Sequence, residues 1–232
     1  MSSTEVHTQN SHQDDALPTK QQLSAAHAAY VLDSAGERVD FTSLLDRAEA
    51  SQTALLLVFT RHFHCGMCKE FVRALADSSL LTDAVRVSVV IVGPGQPAGL
   101  EHYKQQLSNP TTGTPPPFQF YADPDLRLYH ALGVTRRNLD LGDPTKDKIG
   151  SHHTQGFTQT FLSSVGEIVK SGSLALKGGD FKQLGGEFVW NSQGEPVLAH
   201  RMRHTRDHSE VADLEQATQQ QSTASKATTA ST

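Results

Sequence analysis

The chain has 232 residues with a formal net charge of -5, of which 37% are hydrophobic and 19% are charged. This composition suffices for a packed core and argues against a disordered chain or a nucleic-acid binder that relies on a broad basic face. No apolar run approaches the roughly 18–20 residues of a membrane span, and the N-terminus lacks the features of a secretory signal. We therefore expect a cytoplasmic protein without a nucleic-acid or membrane partner.

The two ends of the chain are polar and contain few apolar residues. Residues 1–20 and 218–232 are predicted to be disordered, because such segments cannot bury enough apolar area to offset the loss of chain entropy. Residues 21–217 form the predicted domain.

The first half of the domain contains two continuous apolar runs. A short helix at 22–29 and a hairpin that turns at Ser34–Gly36 come before them. The runs Thr53–Thr60 and Val85–Gly93 are typical of strands covered on both faces. A helical pattern separates the two runs, which predicts a βαβ unit with a parallel strand pair and a right-handed crossover.

The second half of the domain predicts a strand and helix, an insertion and a final hairpin. Asp123 is a natural N-cap for the helix that follows the third strand. The insertion covers about 135–183 and carries an amphipathic helical pattern. A hairpin turning at Ser192–Glu195 follows, and a last helix is predicted to begin near Asp207. Strands and helices in this order indicate an α/β layer sandwich.

Both cysteines of the chain lie in the stretch FTRHFHCGMCKE, residues Phe59–Glu70. Cys65 is predicted at the end of a strand and the start of a helix, where free N–H groups and the helix dipole favour a thiolate. Arg61 and a protonatable His64 add positive charge nearby. Cys68 lies one turn further along the helix and is expected to be more buried. The pattern therefore predicts an exposed nucleophile at Cys65, with Cys68 as its resolving thiol.

Two other interpretations of the motif remain open at this point. The cysteines could be inert thiols of the core. Alternatively, His62, His64 and the two cysteines could bind zinc in a structural domain, although no second pair of ligands with finger spacing follows. The redox interpretation, which needs no metal, is the one that the strand–C-x-x-C–helix context favours.

Three segments in order resemble the peroxiredoxin-like branch of the alkyl hydroperoxide reductase/thiol-specific antioxidant superfamily, which includes the prostamide/prostaglandin F synthase-like group. They are LLLVFTRHFHCGMCKEFVRAL, FYADPDLRLYHALGV and KGGDFKQLGGEFVWNSQGEPVLAHRMRHTRDH. The resemblance implies a thioredoxin-like, three-layer α/β sandwich with a mixed central sheet. It also implies a redox-active Cys65, a disulfide with Cys68, and reduction of peroxides or endoperoxides.

The chain departs from the family pattern at two positions. Typical peroxiredoxins carry a threonine three residues before the reactive cysteine, where this chain has His62. They also carry an arginine before the strand that follows Gly185–Gly186, whereas the corresponding stretch of this chain, QLGGE, contains no arginine. Because a cation can stabilise a developing anion from more than one chain position, other arginines are candidates for this role. The predicted catalytic residues are Cys65, Cys68, Arg61 and His62, and the predicted substrate-pocket residues are Thr60, His64, Gly185, Gly186, Arg201 and Arg203.

The sequence thus predicts a thiol-dependent oxidoreductase that uses its C-x-x-C pair and no bound cofactor. An external thiol reductant such as thioredoxin or glutathione would restore the pair after each turnover. The alternative hypothesis, favoured by the two departures, is a thioredoxin-fold redox-sensing or binding module without catalysis.

Overall fold

The computed structural model describes residues 14–81, 87–143, 145, 147, 150–151 and 177–219. The amphipathic helix predicted inside the insertion lies outside these residues, as do most of the two predicted tails. Within the described ranges, no helix combines the length and the apolar character needed to cross a bilayer.

Seven strands form one mixed sheet in the order β2-β1-β5-β4-β3-β6-β7. Strand β3 pairs in parallel with β4, and β4 with β5, whereas the remaining neighbours are antiparallel. The predicted parallel pair and closing hairpin are therefore confirmed. The strands are β1 (Tyr30–Leu32), β2 (Arg38–Asp40), β3 (Ala54–Phe59), β4 (Val87–Gly93), β5 (Gln119–Ala122), β6 (Gly186–Trp190) and β7 (Pro196–Arg201).

Helices cover both faces of the sheet and make the three layers of a thioredoxin-like sandwich. One apolar cluster joins the sheet to α1, α2 and α5, and a second joins it to α3, α4 and a helical segment at 211–219. The helices are α1 (Lys20–His27), α2 (Phe41–Ala50), α3 (Gly66–Ala76), α4 (Leu100–Leu107) and α5 (Arg127–Ala131), with short 3-10 turns at Ser79–Leu81 and Pro97–Gly99.

Strand β3 is the central strand, and all six of its residues are buried. Alternate side chains enter opposite layers: Leu55, Leu57 and Phe59 join the first cluster, whereas Leu56 and Val58 join the second. This burial on both faces explains the continuous apolar run in the sequence. It also fixes the carboxyl end of β3, from which the chain continues directly to the cysteines.

The turns and helix ends that the local sequence predicted are only partly confirmed. Gly36 and Gly194 adopt φ values of +83° and +74° in the two predicted hairpin turns. The Asp123 carboxylate accepts N–H bonds from the first residues of α5, as predicted for a cap. The predicted start of the last helix near Asp207 is wrong, because the Asp207 carboxylate binds Arg203 instead and the helix begins at 211.

The packed structure extends into the predicted N-terminal tail. Asp14 is buried, and its carboxylate accepts two 3.2 Å bonds from Arg136. The backbone carbonyls of Asp14 and Ala16 accept bonds from Arg201. The backbone of Asp14 and Ala16 thus contacts β7 through Arg201, within the segment that was predicted to be disordered.

Candidate active site

The carboxyl end of β3 and the N-terminus of α3 place Cys65 at a helix cap. Its backbone is extended, with φ -71° and ψ 107°, and its Sγ accepts the N–H of Cys68 at 3.2 Å. A sulfur in this position faces the free N–H groups and the positive end of the α3 dipole. Both features favour the thiolate form of Cys65 over the thiol.

Arg61 contacts both sulfur atoms from the loop between β3 and α3. Its backbone N–H donates to the Sγ of Cys68 at 3.4 Å, and its Nη1 donates to the Sγ of Cys65 at 3.6 Å. Its Nη2 donates to the Phe181 carbonyl at 2.9 Å. Arg61 is 6% exposed, so little water screens its charge. Arg61, predicted as catalytic, therefore lies against the Cys65 sulfur.

The two thiols have opposite ionisation tendencies. Burial by itself would raise the pKa of Cys65, but the Cys68 S–H donated to it and the Arg61 charge outweigh burial and hold this pKa well below its usual value. Burial raises the pKa of Cys68 well above its usual value, and the bond to the Cys65 sulfur adds to that rise. The two shifts favour ionisation of Cys65 over that of Cys68.

The expectation that Cys65 is exposed is wrong, since it is 3% exposed and Cys68 is fully buried. Residues 177–181, here called the strap, pack against the loop between β3 and α3, where the Phe181 carbonyl accepts a bond from Arg61. The Gly178 and Lys177 carbonyls accept N–H bonds from Phe63 at 3.0 Å and Gln96 at 2.8 Å. Nothing in the local sequence pattern of the strap indicates these contacts. Both cysteines are free thiols.

The two histidines of the motif lie beneath Phe181 of the strap. The Phe181 ring centroid is 4.6 Å from that of His62 and 6.3 Å from that of His64. Burial, together with the Arg61 charge, holds the pKa of His62 well below its usual value, so this ring is neutral. Among the residues that the structure describes, no group of His, Cys, Asp and Glu side chains is arranged to hold a metal ion.

Thr60, Gly185 and Gly186 mark the end of the central strands. The Thr60 N–H bonds the Val92 carbonyl at 2.9 Å, which extends the β3–β4 pairing. A Cβ on Gly185 would lie 1.9 Å from the Phe59 carbonyl oxygen, and one on Gly186 would lie 2.3 Å from the His200 carbonyl oxygen. The two glycines therefore allow close backbone packing, which explains them without a substrate.

The predicted pocket arginines bind other partners. Arg201 donates to the Leu132 carbonyl at 2.7 Å and lies over the Phe188 ring, on the face of the sheet opposite α3. Arg203 makes two 2.8 Å bonds to Asp207. The structure thus directs both guanidiniums to structural contacts, and Arg61 is the arginine that it brings to Cys65.

Sequence reasoning missed a buried pair behind the cysteine helix. The Nδ1 of His208 and the Oε1 of Glu187 lie 2.6 Å apart, and both side chains are fully buried. The signal was present in β6, where Glu187 is the one charged residue of the strand GEFVW. A charged residue in a fully buried strand points to a partner elsewhere in the chain.

Residues 74–204, more than half of the chain, match the sequence model of a family described as AhpC/TSA antioxidant enzyme. The chain belongs to the AhpC/TSA family. Human Peroxiredoxin-like 2C is 30% identical over 194 residues, which span 82% of this chain and 78% of the human protein. The family predicted from the three sequence segments is therefore confirmed.

Two further proteins show a more distant similarity to this chain. The chloroplastic Thioredoxin-like protein AAED1 of Arabidopsis thaliana is 27% identical over 144 residues, which span 61% of this chain and 53% of that protein. A thiol peroxidase from Chromobacterium violaceum superposes with a TM-score of 0.47 at 14% identity, covering 83% of this chain and 82% of that one. The AhpC/TSA match begins after Cys68, so the role of the two thiols is argued from their geometry.

Proposed function

We propose that this protein is a thiol-dependent oxidoreductase that reduces peroxides, with Cys65 as nucleophile and Cys68 as resolving thiol. The observation that carries the proposal is the Cys65 sulfur at the cap of α3, 3.2 Å from the Cys68 N–H and 3.6 Å from Arg61 Nη1. This arrangement supplies a sulfur whose pKa is lowered, and which is therefore more readily ionised, beside a thiol whose pKa is raised.

The proposed reaction begins with attack by the Cys65 thiolate on one oxygen of the peroxide. A sulfur–oxygen bond forms, the O–O bond breaks, and the departing alkoxide takes a proton from water to leave as an alcohol. Cys65 is oxidised to the sulfenic acid. The Cys68 sulfur then attacks the Cys65 sulfur, which forms the disulfide and releases water.

An external thiol reductant completes the proposed cycle. Two electrons from two thiols, supplied by thioredoxin or glutathione, reduce the disulfide back to the Cys65 and Cys68 thiols. The thiol and disulfide chemistry of this scheme requires no bound cofactor. We place the activity in the cytoplasm, as the composition predicts, and imaging of a tagged full chain tests that location.

Arg61 is the proposed stabiliser of the oxygen that departs. Its Nε is buried and has no hydrogen-bond acceptor among the described residues, so a donor next to the Cys65 sulfur is left for a bound oxygen. A positive charge beside a developing oxyanion in a dry site lowers the barrier of the attack. Arg61 would thereby do the work of the arginine that typical peroxiredoxins carry elsewhere.

Burial of both thiols favours small substrates. Cys65 is 3% exposed and Cys68 is fully buried, so we expect hydrogen peroxide and small alkyl hydroperoxides to react faster than a prostaglandin H-type endoperoxide. Rates for these three substrates, with dithiothreitol as the reductant, rank the candidates directly.

Peroxide consumption by the wild type, Cys65→Ser and Cys68→Ser tests the proposal. We expect turnover by the wild type, the uncatalysed rate for Cys65→Ser, and no Cys65–Cys68 disulfide for Cys68→Ser. Equal rates for the wild type and Cys65→Ser would remove Cys65 as the nucleophile.

The same burial supports a second candidate, a redox-sensing or binding module without turnover. A thiol that is 3% exposed can be oxidised once by a small peroxide and yet exclude a protein reductant. In that case one equivalent of peroxide would form the disulfide reversibly, but no substrate would give a steady-state rate with thioredoxin or glutathione.

A further inference from the structure

Phe63 lies at the centre of the turn that delivers Cys65 to α3. The Cys65 N–H donates to the His62 carbonyl at 3.0 Å, so residues 62–65 form a turn with Phe63 and His64 in the middle. The N–H of Phe63 donates to the Gly178 carbonyl of the strap at 3.0 Å. Phe63 is 3% exposed and belongs to the apolar cluster on the α3 face of the sheet. The turn is therefore held at this residue by both its backbone and its side chain.

Gly93, Gly95 and Gly99, here called the glycine socket, leave the space that the Phe63 ring occupies. A Cβ on Gly93, at the end of β4, would lie 2.1 Å from Cε1 of this ring, and one on Gly95 would lie 2.5 Å from its Cδ2. A Cβ on Gly99 would lie 3.1 Å from the same Cδ2. Since two carbon atoms pack best at about 3.5–4.0 Å, a side chain at any of these positions would displace the ring.

Tyr103 of α4 completes the surroundings of the ring. It is 1% exposed and stacks on Phe63, with centroids 5.1 Å apart and planes 29° from parallel. The Phe63 ring is thus enclosed by the end of β4, the stretch that follows it and α4, none of which belongs to the loop between β3 and α3. A side chain of the cysteine loop is anchored in a neighbouring part of the fold.

The position of the turn sets the contact between Arg61 and Cys65. These residues lie two positions before and two positions after Phe63, and Nη1 of Arg61 is 3.6 Å from the Cys65 sulfur. Residues 61–64 belong to neither β3 nor α3, so the regular hydrogen bonds of the strand and the helix do not fix them. An opposite charge favours the ionised form strongly only within about 4–6 Å, so a small displacement of the turn weakens its effect.

We propose that Phe63 is a positioning residue of the candidate active site: its ring, held in the glycine socket, fixes the turn that places the Cys65 sulfur against Arg61. The proposal deepens the proposed function and rests on it for the identity of the nucleophile. Phe63 has no chemistry of its own in this role and acts through the distance between Arg61 and Cys65.

The test is the rate of Cys65 alkylation by iodoacetamide between pH 5 and 9 in the reduced full chain, with the modified sulfur located by tandem mass spectrometry. Phe63→Leu removes the ring from the socket. Gly93→Ala adds a methyl group whose three nearest atoms all belong to that ring. We expect each variant to shift the profile to higher pH, with a rate below the midpoint that falls about threefold or more.

The double variant Gly93→Ala/Phe63→Leu tests whether the ring and the socket act together. Its profile should lie closer to that of the wild type than the profile of Gly93→Ala does, because the smaller side chain relieves the overlap with the added methyl group. None of the ionisable groups that act on the Cys65 sulfur, which are Cys68, Arg61 and His208, is altered in these variants. Phe63→Leu alone decides the question where Gly93→Ala does not fold.

Phe120→Leu is the matched control. Phe120 is also buried, belongs to the same apolar cluster and contacts Tyr103 edge-on at 6.2 Å, but it lies on β5, outside the cysteine loop. Its alkylation profile should overlay that of the wild type.

A folded Phe63→Leu variant with the wild-type profile would overturn the inference, even if peroxide turnover by the wild type is intact. Equal shifts in Phe63→Leu and Phe120→Leu would also overturn it, since the effect would then be a general loss of packing. Conversely, a shift in Phe63→Leu alone, in a protein without any peroxide turnover, would support the positioning role and refute the proposed peroxidase function.

Discussion

Arg61 is the residue on which the ionisation of the candidate nucleophile depends most directly, after its neighbouring thiol. We expect Arg61→Gln to raise the pKa of Cys65 and to slow peroxide reduction at pH 7 by about tenfold or more, because an adjacent opposite charge shifts a pKa by about 1–3 units. Alkylation and peroxide-reduction rates measured against pH check both effects in the same protein.

A control for Arg61→Gln is Arg127→Gln on α5, whose guanidinium is half exposed and paired with Asp125. This variant should retain the wild-type pH profile. If Arg61→Gln also kept that profile while staying folded, the short contact between Arg61 and the Cys65 sulfur would have no role in catalysis.

The cysteines and Arg201 differ in how well their surroundings could be predicted from the sequence. The opposite pKa shifts of Cys65 and Cys68 agree with the order expected from the strand–helix junction in the motif. Arg201 could not be assigned correctly, because its acceptors include the carbonyls of Asp14 and Ala16 in a segment that reads as a polar tail. Hydrogen bonds to backbone carbonyls this far away in the sequence cannot be predicted from the residues next to Arg201.

At the scale of elements, the close meeting of β3 and β6 constrains the edge of the candidate site. Gly185 is the residue that permits it, since an added Cβ would lie 1.9 Å from the Phe59 carbonyl oxygen. We expect Gly185→Ala to lower the free energy of unfolding by about 3 kcal/mol, as overpacking against rigid backbone does. Chemical denaturation measures the loss.

Gly194→Ala is the comparison for that loss. Gly194 has a φ of +74° in the β6–β7 turn, and its Cβ position is open. The change should cost about 1 kcal/mol from backbone strain alone. Equal losses at the two positions would contradict the packing explanation of Gly185.

The strap is the element that the sequence did not reveal. Apolar runs and turn residues predicted the sheet because each depends on neighbours close in sequence or on burial of both faces. The strap is held by bonds from Phe63 and Gln96, far from it in the chain, and by a ring packed on two histidines. Contacts between residues so far apart in the chain cannot be predicted from the motif alone.

At the scale of the whole molecule, the N-terminal segment is joined to the edge of the sheet through His200. Its Nδ1 is 2.7 Å from an Asp15 oxygen, and its Nε2 is 2.6 Å from the Asp207 carbonyl. Since both partners accept, both nitrogens carry protons. Burial by itself would lower the pKa of His200, but Asp15, Glu187 and Asp207 raise it to about 9.

This histidine predicts a pH dependence of stability. The folded protein binds the His200 proton more tightly than the unfolded chain does, so the stabilisation is complete below about pH 6.5 and is lost as the pH rises through about 9. We expect the wild type to exceed His200→Gln in free energy of unfolding by on the order of 2 kcal/mol at pH 6, and the two to converge near pH 10. Urea denaturation across this range measures the difference, and a constant difference at every pH would contradict it.

The proposed function requires that Cys65, and not Cys68, is the sulfur that attacks the peroxide. The most direct measurement is capture of the sulfenic acid with dimedone after one equivalent of hydrogen peroxide, located by mass spectrometry in Cys68→Ser and in Cys65→Ser. We expect rapid labelling of Cys65 in the first variant and labelling of Cys68 at least tenfold slower in the second, in line with the opposite pKa shifts of the two thiols. Labelling of Cys68 as fast as that of Cys65 would contradict it.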